Sequence, residues 1–330
     1  MKEYNIGVVG ATGLVGRTIL NLLEEYQINV GDLKLFASSK SKGKRIKVFG
    51  KYYYVETLCE GCFKGLDFVL FSAGAKISKI WAPKVVKEGG YVIDNSSCFR
   101  MKRNCALIVP EINLNDYKTK SKIIANPNCS TIQCVVIVKA LDDLFHVKRI
   151  NYTTYQSVSG SGQKGVIELK RCLNHKDHCF YPYDISKTVI PEIDEFLING
   201  YTKEEMKMVD ETRKILHNKK LKISATCVRV PIVSCHGVVV RCELVNEYSD
   251  QVFKEKLKTL ENVVILDDPI RHIYPTSIIA KGNDNIYVGR IRKDLSCKNG
   301  VLLFVTSDNI RKGAASNAVQ ILKGIINNIN

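Results

Sequence analysis

The chain has 330 residues, of which 45% are hydrophobic, with 49 Lys and Arg against 33 Asp and Glu and a formal net charge of +16. That length accommodates two domains with packed cores, and no apolar run approaches the roughly 18 residues of a membrane span. The opening Met1–Ile6 has neither an apolar signal region nor an Arg/Ser-rich transit pattern, so a cytoplasmic location is expected.

The positive charge is spread along the chain. Only Lys40–Lys47 and Asn218–Lys222 are local clusters, and neither is interleaved with aromatic residues. The expected partners are therefore anionic small molecules rather than nucleic acid. Twelve cysteines occur without a repeated spacing, which argues against a disulfide framework. Neither Cys59-Glu60-Gly61-Cys62 nor the group Cys172, His175, His178 and Cys179 has a standard metal spacing, and no metal site is assigned.

Tyr4–Val9 reads as a buried strand and runs straight into Gly10-Ala11-Thr12-Gly13-Leu14-Val15-Gly16. A helix follows, with Leu14, Val15, Thr18, Ile19, Leu22, Leu23 and Tyr26 on one face. A glycine loop between strand and helix lets backbone amides approach a diphosphate at the positive end of the helix. The second strand, Leu33–Ala37, ends in Ser38-Ser39-Lys40-Ser41-Lys42-Gly43-Lys44. There is no carboxylate here for a ribose 2′-hydroxyl, and the hydroxyls and cations suit a 2′-phosphate, so NADP is expected. Phe68–Ser72, Tyr91–Asp94, Leu107–Val109 and Ile123–Ala125 add short apolar strands, separated in part by helical segments such as Ile77–Glu88. This alternation predicts a Rossmann-type doubly wound parallel sheet. Ser72 ends one of these strands, Gly74 falls in the turn after it, and Asn95 and Arg100 follow another.

At Ile123–Leu144 a short strand stops at Asn126-Pro127-Asn128, and a helical pattern begins at Ser130, with Ile132, Val135, Val136, Leu141 and Leu144 on its buried face. Cys129 lies at or just before the first helical turn. There the unpaired N–H groups and the helix dipole favour a thiolate, so Cys129 is the expected nucleophile. Beyond it, Arg149–Val158, Ala225–Val233, Gly237–Val245 and Val301–Val305 read as strands of a mostly antiparallel sheet in an α+β catalytic and dimerisation domain. A nucleophilic thiolate needs an acid/base partner. His236 lies in the turn between two of these strands, seven residues after Arg229, a spacing that can bring both side chains to one end of a sheet.

Six blocks carry a resemblance to a known family: GATGLVG (Gly10–Gly16), NPNCSTIQ (Asn126–Gln133), YQSVSGSG (Tyr155–Gly162), EEMKM (Glu204–Met208), RVPIVSCH (Arg229–His236) and DNIRKGAASNAVQI (Asp308–Ile321). In this order, and spread nearly end to end, they resemble the aspartate-β-semialdehyde dehydrogenases. The resemblance implies Cys129 as nucleophile, His236 as acid/base and Gln156 as the amide that orients substrate and nucleophile. It implies Arg229 on the substrate α-carboxylate, Glu204 on its amino group, and Arg100, Lys207 and Asn95 on the phosphoryl group. Gly10, Thr12, Gly13, Leu14, Val15, Ser38, Ser39, Ser72, Gly74, Ser159, Gly160 and Asn317 would line the cofactor. Asn317 lies on the closing helix, so the NADP-binding domain is expected to be discontinuous, 1–128 plus about 312–330, around a catalytic and dimerisation domain at 129–311.

The implied reaction is NADPH-dependent reductive dephosphorylation of L-β-aspartyl phosphate to L-aspartate-β-semialdehyde and phosphate, through a thioester on Cys129. Such a step belongs to the biosynthesis of lysine, threonine, methionine and diaminopimelate. Self-association into a homodimer or tetramer through the second-domain sheet is also implied. The competing readings are an N-acetylglutamyl-phosphate reductase, which should lack the Glu204–Lys207 block, and a non-enzyme, either an NADP-binding sensor or a basic nucleic-acid-binding protein. One departure from the family pattern is Cys235, a second thiol beside His236 that could be open to oxidation.

Overall fold

The computed structural model describes residues 2–118 and 121–329 and divides into two compact units, Met1–Pro127 with Ala314–Asn330, and Asn128–Gly313. In the first unit, β1 (Tyr4–Val9), β2 (Val30–Phe36), β3 (Arg45–Val48), β4 (Lys51–Glu56), β5 (Phe68–Phe71), β6 (Tyr91–Asp94), β7 (Ala106–Leu107) and β8 (Ile123–Ala125) form one sheet. Its order is β3-β4-β2-β1-β5-β6-β8-β7, and every pairing except β3–β4 is parallel. The chain steps to one side of β1 for β2 and to the other side for β5, the switch point at which open α/β sheets bind ligands. The helix Leu14–Glu25 and the C-terminal helix Ser316–Ile329 share a core over this sheet, through Ile19, Leu22, Leu23, Val319, Leu322 and Ile325.

The sequence pattern assigns no strand to Arg45–Glu56, where the structure has a hairpin. Ile46 and Val48 are buried while Arg45 and Lys47 are exposed, so the two-residue alternation is real but masked by the density of basic residues. Phe49 and Gly50, both at positive φ, close the two-residue turn.

In the second unit, β9 (Val147–Gln156), β10 (Lys222–Arg229), β11 (His236–Leu244), β12 (Val263–Ile265), β13 (Ile286–Lys293) and β14 (Gly300–Ser307) are arranged as β10-β9-β11-β14-β13-β12. The pairs β9–β11, β11–β14 and β13–β14 are antiparallel, and the outer pairs β9–β10 and β12–β13 are parallel. The strand expected at Ala225–Val233 instead starts earlier and stops at Arg229, two residues before Pro231, which has no N–H for a ladder. β10 and β11 do not pair with each other, because β9 lies between them.

The helix Cys129–Phe145 packs against β9, β11 and β14 and against the helices Lys203–Ile215 and Asp250–Lys258. Twelve of its 17 residues are buried, more than the single face expected from its periodicity, because it has neighbours on several sides. Among the described residues no helix is long and apolar enough to cross a membrane.

Candidate active site

Asn128 caps the helix that begins at Cys129. Its Oδ1 accepts hydrogen bonds from the N–H groups of Ser130 (2.9 Å) and Thr131 (3.4 Å). The neighbouring helix Lys203–Ile215 holds this cap with two buried carboxylates. Glu211 accepts from the Asn128 N–H at 2.6 Å, and Oε1 of Glu204 accepts from the Asn128 side-chain amide at 2.8 Å. The two glutamates are seven residues apart, about two helical turns, and so lie on one face. Gly313 passes close by: a Cβ there would lie 2.8 Å from that of Cys129.

Glu204 also connects the cap to the sheet. Its Oε1 accepts from the Gln156 amide at 3.2 Å, and its Oε2 is 3.1 Å from the Lys207 ammonium, which donates to Asp194 at 2.8 Å as well. Burial alone would raise the Glu204 pKa. The Lys207 charge and the hydrogen bonds from Asn128, Lys207 and Gln156 outweigh it and hold the carboxyl at about 2. Glu204 is therefore an anion at neutral pH.

Gln156 ends β9 and lies opposite Arg229 on β10 and opposite His236 on β11. The three residues form one rung across three strands, and all are at least 96% buried. The next position of the rung is Ser307 on β14, which donates to Gln133 of the Cys129 helix at 2.7 Å. Arg229 donates through Nη1 to the Ser157 carbonyl at 2.7 Å, while its buried Nε has no partner among the described residues. His236 accepts at Nδ1 from the Ser157 N–H at 3.1 Å, and its Nε2 also has no partner among the described residues. Burial, helped by the Arg229 charge, lowers the His236 pKa to about 3, so the ring is neutral. Gly160 leaves room above the pair, since a Cβ there would lie 2.8 Å from Arg229 Nη1 and 3.2 Å from His236 Nε2.

In the first unit, Gly13 caps the helix Leu14–Glu25 without a side chain, and no acidic residue stands in the first turn. Its first N–H groups therefore face outward beside the glycine loop, as a diphosphate requires. A Cβ at Gly10 would strike Ser72 Oγ at 2.7 Å, and the Gly10 φ of +89° also favours glycine. A Cβ at Gly16 would overlap the Gly10 carbonyl. Ser38, Ser39 and Lys40 are exposed at the end of β2. Side chains ending β6 and β8 are joined through asparagines: Asn317 donates to Asn126 (2.7 Å), which donates to Asn95 (2.6 Å). Arg100 reaches the carbonyl oxygens of Asn126 (2.9 Å) and Asn95 (2.7 Å). Asn317 is fully buried, yet its Oδ1 has no partner among the described residues, so it remains available to a ligand. These features fit a nicotinamide dinucleotide.

Two family models match the chain in tandem. A semialdehyde dehydrogenase NAD-binding domain covers residues 5–120, and a semialdehyde dehydrogenase dimerisation domain covers residues 138–312. The aspartate-semialdehyde dehydrogenase of Aquifex aeolicus is 47% identical over 98% of both chains, and that of Campylobacter jejuni is 43% identical over 97% of this chain and 96% of its own. The chain belongs to the aspartate-semialdehyde dehydrogenase family. The crystal structure of aspartate-semialdehyde dehydrogenase II from Vibrio cholerae, 40% identical, superposes with a TM-score of 0.94 over 99% of each chain. The same enzyme complexed with ASA, 39% identical, gives a TM-score of 0.95 over 99% of each chain.

For an aspartate-semialdehyde dehydrogenase, the residues expected to act divide cleanly. Cys129, Gln156, Ser159, Gly160, Glu204, Lys207, Arg229 and His236 lie in the second unit; the glycine loop, Ser38, Ser39, Ser72, Gly74, Asn95, Arg100 and Asn317 lie in the first. Sequence reasoning missed Ser157, Asn309 and Glu211. Only Glu211 left a signal, its seven-residue spacing from Glu204 on a helical pattern. The concern over Cys235 is corrected: it is fully buried, and burial pushes its thiol up to about 12, which opposes oxidation. Among the described residues no group of three or more His, Cys, Asp or Glu is arranged to hold a metal ion. Cys179 instead donates to Glu168.

Proposed function

We propose that the chain is an NADPH-dependent aspartate-semialdehyde dehydrogenase that reduces L-β-aspartyl phosphate to L-aspartate-β-semialdehyde and phosphate, in the synthesis of lysine, threonine, methionine and diaminopimelate. The observation that carries this reading is the single oxygen of Glu204 that binds both the Asn128 amide beside Cys129 and the Gln156 amide of the sheet rung. It ties the candidate nucleophile to the candidate substrate-binding side chains within one unit.

In this reading Cys129 Sγ attacks the β-carbonyl carbon of the acyl phosphate. A C–S bond forms, the C–O bond to phosphate breaks, and a thioester remains. Arg229 binds the α-carboxylate as a two-pronged donor, and Glu204 faces the amino group. Lys207, Arg100 and Asn95 receive the phosphoryl group. Gln156 orients the carbonyl, and His236 meets its oxygen through Nε2. Gly10, Thr12, Gly13, Leu14, Val15, Ser72, Gly74, Ser159, Gly160 and Asn317 would hold NADP(H), with Ser38 and Ser39 at the 2′-phosphate. When bound, that cofactor supplies the hydride that turns the thioester carbonyl into the thiohemiacetal level of oxidation. Collapse then breaks the C–S bond, returns the thiolate and releases the aldehyde. The domains are assigned as the two units described, with self-association through the second.

The test is phosphate-dependent reduction of NADP by L-aspartate-β-semialdehyde, followed by NADPH absorbance. Turnover that falls at least about 10³-fold in Cys129→Ala is expected. Turnover indifferent to Cys129, or obtained only with N-acetylglutamate semialdehyde, would overturn the assignment; no turnover with either would favour the sensor.

A further inference from the structure

We propose that Ser157 and Asn309 are positioning residues that fix His236 as a neutral imidazole with its proton on Nε2, so that it meets the reacting carbonyl as a hydrogen-bond donor. The inference deepens the proposed function and rests on its assignment of His236 to that carbonyl.

The argument starts from the direction of one hydrogen bond. A backbone N–H can only donate, and that of Ser157 points at Nδ1 of His236 at 3.1 Å. In that contact Nδ1 presents its lone pair, which places the ring proton on Nε2, against the pull of the Cys235 backbone, which favours a protonated ring. In a catalytic triad the arrangement is the reverse, because a carboxylate accepts from Nδ1–H and stabilises the imidazolium. Among the described residues no carboxylate hydrogen-bonds His236. The charged groups that bear on the ring are Arg229, which opposes an imidazolium, and Glu204, which favours one, and the ring is at most 1% exposed.

Asn309 organises the surroundings of that bond. Its Oδ1 accepts from the Ser157 hydroxyl at 3.2 Å, the Ser159 hydroxyl at 3.2 Å and the Cys235 N–H at 2.8 Å, while its Nδ2 donates to Ser159 Oγ at 3.0 Å. One side chain thus pins the loop that donates to the ring and the residue that precedes it. Cys235 needs such pinning, since its φ is +71°, a conformation that side chains other than glycine rarely adopt. The hydroxyl of Ser157 lies 3.2 Å from Nδ1 and 3.2 Å from Asn309 Oδ1. On the other side of the ring, Nε2 is buried, has no partner among the described residues and lies beside the space that Gly160 keeps open. A neutral imidazole whose N–H faces the site stabilises developing charge on a carbonyl oxygen without itself titrating near neutral pH.

The test is ¹⁵N NMR of the full chain labelled at histidine, between pH 5.5 and 8, with the His236 signals assigned by their loss in His236→Gln. The expected result is a neutral, Nε2-protonated ring over the whole range. A His236 that titrates in this range, or carries its proton on Nδ1, overturns the inference. In Asn309→Ala we expect kcat to fall about 10- to 100-fold with KM for the semialdehyde within about threefold, and an acid limb absent from the parent to enter the pH profile. An unchanged pH profile and unchanged ring signals in that variant would overturn the part assigned to Asn309. The NMR readout does not depend on turnover, so it can fail while the Cys129-dependent activity stands, and the reverse.

Discussion

Gln156 faces His236 directly across β9 and β11, and its other flank faces Arg229 across β9 and β10. Residues opposite one another in a sheet project to the same side at a spacing of about 5 Å. A guanidinium, an amide and an imidazole thus stand on three adjacent strands, and the two end groups converge, since a Cβ at Gly160 would lie 2.8 Å from Arg229 Nη1 and 3.2 Å from His236 Nε2. Small disturbances of this rung should therefore affect turnover more than stability.

Gly160→Ala provides the sharpest steric test. Gly160 has no positive φ, so the substitution adds a methyl group without backbone strain, yet that methyl meets Arg229 Nη1 and His236 Nε2. We expect kcat/KM to fall about 10- to 100-fold with thermal stability nearly unchanged. Full activity in the variant would show that the space beside Nε2 is not used.

Glu204→Gln removes a buried anion from between Lys207, Asn128 and Gln156. Breaking such a set by deleting one charge costs about 2 kcal/mol or more. Urea unfolding of Glu204→Gln, Lys207→Met and the double variant forms a cycle. A coupling of at least about 1 kcal/mol is expected, and strict additivity would mean that the pair does not act as a unit.

Acid should weaken the fold in two stages. His236, at about 3 in the folded chain against 6.5 ordinarily, is held neutral, so its contribution is present above pH 6.5 and is lost as pH falls towards 3. Glu204, at about 2 against 4.5, contributes above pH 4.5 and loses that contribution between 4.5 and 2. Between pH 6.5 and 4.5 the decline is therefore due chiefly to His236. His236→Asn, which keeps an acceptor for the Ser157 N–H, should flatten the urea midpoint over that interval. An equal slope in parent and variant would assign the loss to other groups.

Cofactor choice can be tested at the end of β2, where Ser39 is exposed and no carboxylate occurs between Ala37 and Val55. Ser39→Asp should lower the ratio of kcat/KM for NADP to that for NAD at least about tenfold, because a carboxylate repels a 2′-phosphate and binds a 2′-hydroxyl. An unchanged ratio would place the selectivity elsewhere.

The sequence by itself determined the features that depend on neighbours along the chain. The strand–glycine loop–helix at Tyr4–Glu25 is legible because backbone freedom and apolar period are local properties. Cys129 is legible as a residue at a helix start because Asn126-Pro127-Asn128 breaks one pattern just before the next begins. The strand pattern and spacing pointed to His236 and Arg229 at one end of a sheet, and the family blocks added Gln156 as a name without a place. Tertiary structure alone decided how the three are arranged. Strand order cannot be read from strand composition, so the sequence could not reveal that β9 lies between β10 and β11 and brings Gln156 between Arg229 and His236. Nor could it identify Ser157 and Asn309, 152 residues apart, because a hydrogen bond between distant polar side chains leaves no period or spacing in either segment. The chemical identity of the site is written locally; the protonation of its histidine depends on contacts that only the folded chain creates.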